Sequence, residues 1–444
     1  MNDPMKKADL PPGLWGKAKL AAEHTPHRRN RAVDLFRAVA IGLVVLGHWF
    51  LVAPQIVDGE VRLAVLLVEA PWTQYATWLF QVMPVFFFVG GYANAISWTS
   101  VRHDASKRRE WASSRLTRLL VPIVPLVLIW ACGAAVAKWV GIPIEIIDAA
   151  SQAALVPVWF LAVYIMITVV VPASVWIWDR IGPVSVLALM AGAITVDMIA
   201  FGYKLGWLRW VNYGFIWMAV HQMGFWWQSQ RHVTPPWFFI VLVGVIWMVL
   251  LIAGFGFPVA MISVPGAEIS NTRPPTTAMF AIGCIHIGIL LALEVPVKKW
   301  LANVSPWAAV IAVNQMIMTV YLWHITVLIV LIGVSLLADG VGLRLSPGTT
   351  EWWVLRPIWI ALLAAGLIPF VSLFRRFETV GKTEKRMRPG YAQAFLGALL
   401  ACVGLVVLAL NGIGASYALG FNPYAVVLVA VGVWIATGMF PMRR

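Results

Sequence analysis

The chain has 444 residues, of which 61% are hydrophobic and 12% are charged, and its formal net charge is +14. Soluble globular proteins carry about 25% charged residues, so this composition excludes a soluble fold and indicates a polytopic membrane protein. The positive charge does not form a basic stripe with interleaved aromatic residues, so it does not predict nucleic-acid binding. We therefore expect membrane lipids, and no nucleic acid, among the partners of the chain.

Apolar windows long enough to cross about 30 Å of hydrocarbon recur along almost the whole length. They predict an all-α membrane bundle of about 12 transmembrane helices. With the N-terminus in the cytoplasm, 26 of the 33 Lys and Arg residues fall on the cytoplasmic side, so both chain ends are predicted to be cytoplasmic. The predicted spans are 38–55, 75–98, 119–137, 155–176, 184–202, 212–228, 236–256, 276–296, 316–337, 353–374, 391–411 and 424–441.

The spans divide the chain into four predicted parts. Residues 1–32 are a basic cytoplasmic tail, 33–375 a transmembrane domain, 376–390 a basic cytoplasmic loop, and 391–444 two additional C-terminal transmembrane helices. We expect no cleaved signal peptide, because a long polar segment precedes the first span.

Two further segments between the spans have a distinct character. Residues 102–118 are predicted as another basic loop, and 297–315 as an interfacial or re-entrant segment.

The cysteines lie inside apolar spans without C-x-x-C spacing, so neither a disulfide framework nor a metal site is expected. They are Cys132, Cys284 and Cys402.

The first span combines a basic entry with a histidine inside the apolar run. Arg37 and His48 are eleven residues apart, which places them about 20° apart on one helix face with about 16 Å of rise between them. Asp34, three residues before Arg37, falls on the same face and is predicted to hold its guanidinium as a bidentate acceptor. Ionisable residues in a span are costly, so this stripe is a functional candidate.

This D-x-x-R-A-x-A-I-x-x-V-V-x-x-H pattern resembles the opening motif of the acyltransferase-3 family of integral-membrane O-acyltransferases. The resemblance covers roughly residues 30–375. Four later segments are also similar to family elements: Phe86–Tyr92, the R-x-x-R-x-x-x-P run with Arg115 and Arg118, the segment from Trp159 to Tyr164, and Tyr321–His324. Many members have glutamate where Tyr164 stands, and we expect no SGNH-type hydrolase domain.

The resemblance implies a multi-pass enzyme of the bacterial plasma (inner) membrane that moves an acyl group, most simply acetyl, from cytoplasmic acyl-CoA to a hydroxyl of an extracytoplasmic carbohydrate or glycolipid. His48 would be the general base or an acyl relay, reached by a narrow polar cavity from both faces. Arg37, fixed by Asp34, would orient the donor phosphates or neutralise charge on the thioester oxygen, and His324 is a second catalytic candidate.

The same resemblance implies a donor site but no metal. Arg115 and Arg118 would bind the phosphates of coenzyme A, because guanidinium groups suit such oxyanions. Tyr92 and Trp159 would complete the donor site together with Arg37.

Other functions remain open from the sequence. Pairs of buried histidines could ligate haem in an electron carrier, midplane polar residues and interrupted spans are typical of a transporter or flippase, and Tyr164 allows a non-catalytic accessory subunit of an envelope-assembly complex. His221 and His286 are either functional or bonded to neighbouring helices.

Overall fold

The structure is a computed structural model that describes residues 13–26, 29–57, 60–230, 236–378 and 389–438. Its α-helices are α1 (Leu14–Glu23), α2 (Arg31–Leu51), α3 (Leu66–Glu69), α4 (Thr73–Phe80), α5 (Met83–Thr99), α6 (Ala105–Leu120), α7 (Ile123–Trp139), α8 (Ile144–Val169), α9 (Val171–Ile181), α10 (Val184–Gly202), α11 (Asn212–Ser229), α12 (Trp237–Val249), α13 (Thr277–Trp300), α14 (Val304–Asn314), α15 (Ile317–Leu337), α16 (Thr350–Phe374), α17 (Tyr391–Asn411) and α18 (Pro423–Thr437). A π-helical turn, Leu250–Gly254, follows α12, and 3₁₀ helices cover Gly206–Val211 and Arg375–Glu378.

The described residues contain ten helical segments that are long and apolar enough to cross a membrane. Helices suit a bilayer because each backbone N–H and C=O is satisfied within the segment. The prediction of a polytopic membrane helix bundle is thus confirmed. The predicted span 212–228 forms α11, which falls outside those ten, and the last predicted span forms the shorter α18. The count of twelve spans and the placement of the chain ends remain predictions.

The first span ends earlier than predicted, and a β-hairpin follows it. Helix α2 stops at Leu51, and β1 (Val52–Val57) pairs antiparallel with β2 (Glu60–Val65). Pro54 explains the stop, because proline has no backbone N–H and disfavours helical geometry at the residue before it. The all-α prediction missed this hairpin, and the early stop puts His48 in the last turn of α2.

The predicted basic loop 102–118 is mostly helical. Asp104 begins α6 as its N-cap, because its carboxylate accepts hydrogen bonds from the backbone N–H of Ser106 at 2.8 Å and of Lys107 at 3.1 Å. Arg115 and Arg118 therefore lie on the last turns of a helix. The segment 297–315 contains the end of α13 and all of α14, whereas most of the predicted loop 376–390 lies outside the described residues.

The two helices after the predicted transmembrane domain pack on the bundle. Helices α17 and α18 approach so closely that a Cβ on Gly397 would lie 2.3 Å from the backbone N of Ala436. Helix α17 runs along α8, where Cys402 Sγ donates to the carbonyl of Ala162 at 3.4 Å. The C-terminal pair thereby supports the helix that carries Trp159 and Tyr164.

Candidate active site

Helix α2 carries a stripe of residues spaced at helical intervals, Arg37, Ile41, Val44 and His48. Asp34 begins this face, but its main partner is not Arg37. Its Oδ2 accepts from Arg29 Nε at 3.0 Å and pairs with Arg29 Nη2 at 2.8 Å, whereas Arg37 Nη1 lies 3.5 Å from Oδ1. The predicted bidentate hold on Arg37 is therefore a single longer ion pair, and Asp34 bridges two arginines.

His48 is hydrogen-bonded to His324, which lies in the first half of α15. Nδ1 of His48 is 2.9 Å from Nε2 of His324, and the two rings stack with centroids 5.1 Å apart. Nδ1 of His324 is 2.7 Å from the carbonyl oxygen of Tyr321. The two histidines singled out from the sequence thus form one chain of hydrogen bonds.

The partners assign the proton positions in this chain. A carbonyl oxygen only accepts, so Nδ1 of His324 carries the hydrogen, and Nε2 of the neutral ring is an acceptor. Nδ1 of His48 must then donate, which leaves a lone pair on Nε2 of His48. That Nε2 has no protein hydrogen-bond partner within the described residues, so it is free to accept a proton.

The C-terminal end of α2, which carries His48, is held by two buried side chains. Trp49 Nε1 donates to the carbonyl of His324 at 3.0 Å. Arg356 on α16 donates through Nη2 to the carbonyls of Trp49, of Phe50 at 3.3 Å and of Val52 at 2.9 Å. A cation at a helix C-terminus is favourable because the last carbonyls have no partner within the helix. These contacts fix the position of the His48 ring.

His48 lines a cavity of about 1100 Å³. The cavity lies between α2, α4, α8, α15 and the loop before α13, and its lining also includes Trp159 and Tyr321. Helix α2 contributes Val44 to the lining, but neither Ile41 nor Arg37. The lining of this cavity is mostly apolar, and the polar passage reaching His48 from both faces remains a prediction.

A cluster of aromatic rings lies beside the cavity. We call Phe86, Phe87, Phe160, Tyr164 and Tyr321 the aromatic layer. Phe160 is at its centre, with ring centroids 5.4 Å from Phe86, 5.3 Å from Phe87, 6.0 Å from Tyr164 and 5.9 Å from Tyr321. Phe160 and Tyr321 line the cavity, whereas Tyr164 lies within electrostatic range of Arg115 and Arg118.

Beyond the aromatic layer lie three guanidinium groups. Arg37, Arg115 and Arg118 are close enough to interact electrostatically with one another. Arg115 Nη2 donates to Ser97 Oγ at 2.8 Å, whereas Arg118 is exposed and makes no hydrogen bond within the described part of the chain. Like charges held together repel, so an anionic ligand that pairs with them is favoured here.

One of the comparisons with known proteins identifies a family. The acyltransferase-3 family model, described as "Acyltransferase domain", matches residues 30–377, which include the α2 stripe, the aromatic layer and both histidines. The chain belongs to the acyltransferase-3 family. No curated protein and no solved structure matches the chain.

In this acyltransferase the two aromatic residues predicted at the donor site lie in different places. Trp159 lines the cavity beside His48, and its ring packs edge-on against Tyr213 at 5.8 Å. Tyr92 is buried against Trp227, with ring centroids 4.4 Å apart, and its hydroxyl accepts from Asn30 Nδ2 at 3.4 Å. Trp159 is thus beside the His48 cavity, and Tyr92 is in the packing around the start of α2.

The other two histidines in predicted spans, His221 and His286, bond to neighbouring helices. This is one of the two alternatives that the sequence left open for them. Nε2 of His221 is 3.1 Å from Asn94 Nδ2, and Nε2 of His286 is 2.8 Å from the carbonyl of Trp78. The haem alternative named pairs among the four span histidines, and His48 with His324 was one possible pair. Nδ1 of His48 and Nε2 of His324 lie 2.9 Å apart, so these two nitrogens leave no space for an iron between them.

The acyltransferase also has site residues that the sequence did not reveal. Glu378 accepts from Thr319 N at 2.6 Å at the start of α15 and interacts electrostatically with Arg118. Glu378 supplies a carboxylate near Arg118. Tyr164, which stands where the family resemblance leads us to expect glutamate, is also near Arg118. Arg356 was missed as well, although a charged residue inside the tenth predicted span was a signal for it. Glu378 had no comparable signal in the sequence.

Proposed function

We propose that this membrane acyltransferase moves an acyl group, most simply acetyl, from acyl-CoA to a hydroxyl of an extracytoplasmic carbohydrate or glycolipid in a bacterial inner membrane. The single observation that carries the proposal is the lone pair of His48 Nε2, directed by the hydrogen-bond chain from Tyr321 through His324. A general base must present an unprotonated nitrogen where an acceptor hydroxyl can reach it. The cavity beside His48 provides that space.

The proposed reaction proceeds by direct transfer. Nε2 of His48 takes the proton of the acceptor hydroxyl while the hydroxyl oxygen attacks the thioester carbonyl and forms a C–O bond. The C–S bond then breaks, and the thiolate of coenzyme A takes the proton back from Nε2, giving an ester and a free thiol. His324 stabilises the transient imidazolium of His48 by accepting the hydrogen bond from Nδ1, as the orienting residue of a catalytic triad does.

The donor phosphates are proposed to bind at Arg115 and Arg118, with Arg37 as the arginine nearest to the catalytic histidine along α2. Seven residues, or about 10 Å of helix rise, separate Arg37 from Val44 at the cavity wall. Tyr164 of the aromatic layer is near Arg115 and Arg118, whereas Phe160 and Tyr321 line the cavity. In this proposal the thioester arm passes between these rings to reach His48. A layer that opens only for the donor would keep water away from the thioester.

The experiment that tests the function adds radiolabelled acetyl-CoA to membranes that contain the protein. We expect label in an ester of a glycan or lipid, and loss of that label in His48→Ala by at least about 100-fold, the usual contribution of a general base. His24→Ala, a histidine of α1's C-cap, is the matched control and should transfer at the wild-type rate. Wild-type turnover in His48→Ala would remove His48 from the mechanism.

A further inference from the structure

The cavity beside His48 has one wall that carries polar groups. Helix α4 and the loop before α13 form it, where Gln81 Nε2 donates to the carbonyl of Met261 and to Thr272 Oγ1, both at 3.1 Å. Ser263 and the exposed Arg273 extend this wall from the same loop. The amide, hydroxyls and guanidinium on this side suit a hydroxyl-rich head group.

The wall formed by α8 and α15 is apolar apart from the exposed Glu145 at the start of α8. Helices α8 and α15 meet where Tyr321 Oη donates to the carbonyl of Pro157 at 2.9 Å, and beyond that contact both helices line the cavity. Small side chains on α8 face branched side chains on α15, which leaves a slot between the helices. The slot residues are Ala149, Ala153 and Val156 from α8 and Leu328, Ile332 and Leu336 from α15.

The slot continues to the outer surface of the bundle. Ile146 on α8 and Leu336 on α15 both line the cavity, and they are 59% and 40% exposed. Ile146 is in the first turn of α8 and Leu336 is in the last turn of α15, and both helices are apolar enough to span a membrane. The opening therefore lies where the ends of these two helices meet, and a hydrocarbon chain that enters here would come from the edge of the bilayer.

The size and chemistry of the cavity discriminate between acceptors. Its volume of about 1100 Å³ lies just above the range of about 300–1,000 Å³ for small-ligand pockets. A free sugar against the slot would lose hydrogen bonds to water without replacement, whereas a hydrocarbon chain would gain from burial there. An acceptor with both a polar head and an apolar tail satisfies both walls.

We propose that the acceptor is a lipid-linked carbohydrate whose head group lies against the Gln81–Thr272 wall and whose hydrocarbon tail lies in the slot between α8 and α15. This inference rests on the proposed function, because it requires the acceptor hydroxyl to meet His48. The tail anchors the acceptor, and the polar wall turns one hydroxyl toward Nε2 of His48.

The test follows radiolabelled acetyl-CoA in native membranes at short times and separates the products by chloroform–methanol extraction. We expect the earliest label in an extractable lipid whose sugar is released by mild acid. Early label only in water-soluble polymer, or in ordinary phospholipid, would overturn the inference while leaving acyl transfer intact. Label in no acceptor would instead contradict the proposed function itself.

A pair of substitutions tests the slot directly. Ala153→Phe fills it and should lower the initial rate of lipid labelling from radiolabelled acetyl-CoA at least tenfold. Val330→Phe adds the same ring on the exposed face of α15, outside the slot, and should stay within twofold of wild type. Equal rates in Ala153→Phe and wild type would place the acceptor elsewhere.

Discussion

Nδ1 of His48 lies 2.9 Å from Nε2 of His324, although 276 residues separate them in the chain. The pair joins the first span to the ninth predicted span and sets which nitrogen of His48 carries a hydrogen. The proton position on His48 thus depends on the hydrogen bond that His324 makes.

The first prediction concerns His324 as a positioning residue. His324→Ala should lower kcat by about 10- to 100-fold without changing KM for acyl-CoA, because His48 loses the acceptor for its Nδ1 hydrogen. His324→Gln should recover part of the rate, since an amide oxygen can accept the same bond. The two kinetic constants of each variant check this. Equal rates for Ala and Gln variants would contradict a role in orientation.

The second prediction concerns the donor phosphates. Arg115→Ala and Arg118→Ala should each raise KM for acyl-CoA about 10- to 100-fold, because a hydrogen bond to a charged group contributes about 1.5–3 kcal/mol. Arg118→Ala should do so without loss of thermal stability, since Arg118 makes no hydrogen bond within the described residues. Arg109→Ala is the matched control, as an exposed arginine of the same helix. If Arg109→Ala raised KM by as much, the effect would come from general surface charge and not from phosphate binding at Arg115 and Arg118.

The third prediction concerns Arg356, which holds the end of α2. Arg356→Ala should lower stability by about 1.5–3 kcal/mol and lower kcat as well, because several carbonyls lose a charged donor and the His48 turn loosens. Arg356→Lys should keep part of the stability, because an ammonium group can donate but lacks the planar fork. Thermal unfolding and transfer rates in detergent measure both effects. Unchanged kcat in a destabilised Ala variant would limit Arg356 to a structural role.

The fourth prediction concerns the close approach of α5 and α11. A Cβ on Gly91 would lie 1.9 Å from the carbonyl oxygen of His221, and backbone on both sides cannot yield easily. Gly91→Ala should therefore lower stability by about 1–3 kcal/mol. Gly42→Ala on α2 meets no atom within 4 Å and should be neutral or slightly stabilising, since alanine favours helix. If the two variants melted at the same temperature, the helices would not be as close as described.

Much of the fold followed from the sequence, because apolar runs of about 20 residues have one stable form in a bilayer. The α2 stripe was also readable, since helix geometry alone relates Asp34, Arg37 and His48. The hairpin after Leu51 was missed because an apolar, β-branched run has the same hydropathy in a strand as in a helix. The helical form of 105–120 was missed because charge suggested a loop, although Asp104 is a good N-cap.

The sequence by itself determined a membrane bundle, a histidine and an arginine on one helix face, and the family of the chain. Only the tertiary structure decided that His48 bonds to His324, that Asp34 pairs more closely with Arg29 than with Arg37, and that Phe160 and Tyr321 line the cavity while Tyr164 lies near Arg115 and Arg118. The physical reason is the separation along the chain over which each effect acts. Helix periodicity acts between neighbours in the chain, whereas hydrogen bonds between spans and the shape of a cavity depend on how distant helices pack.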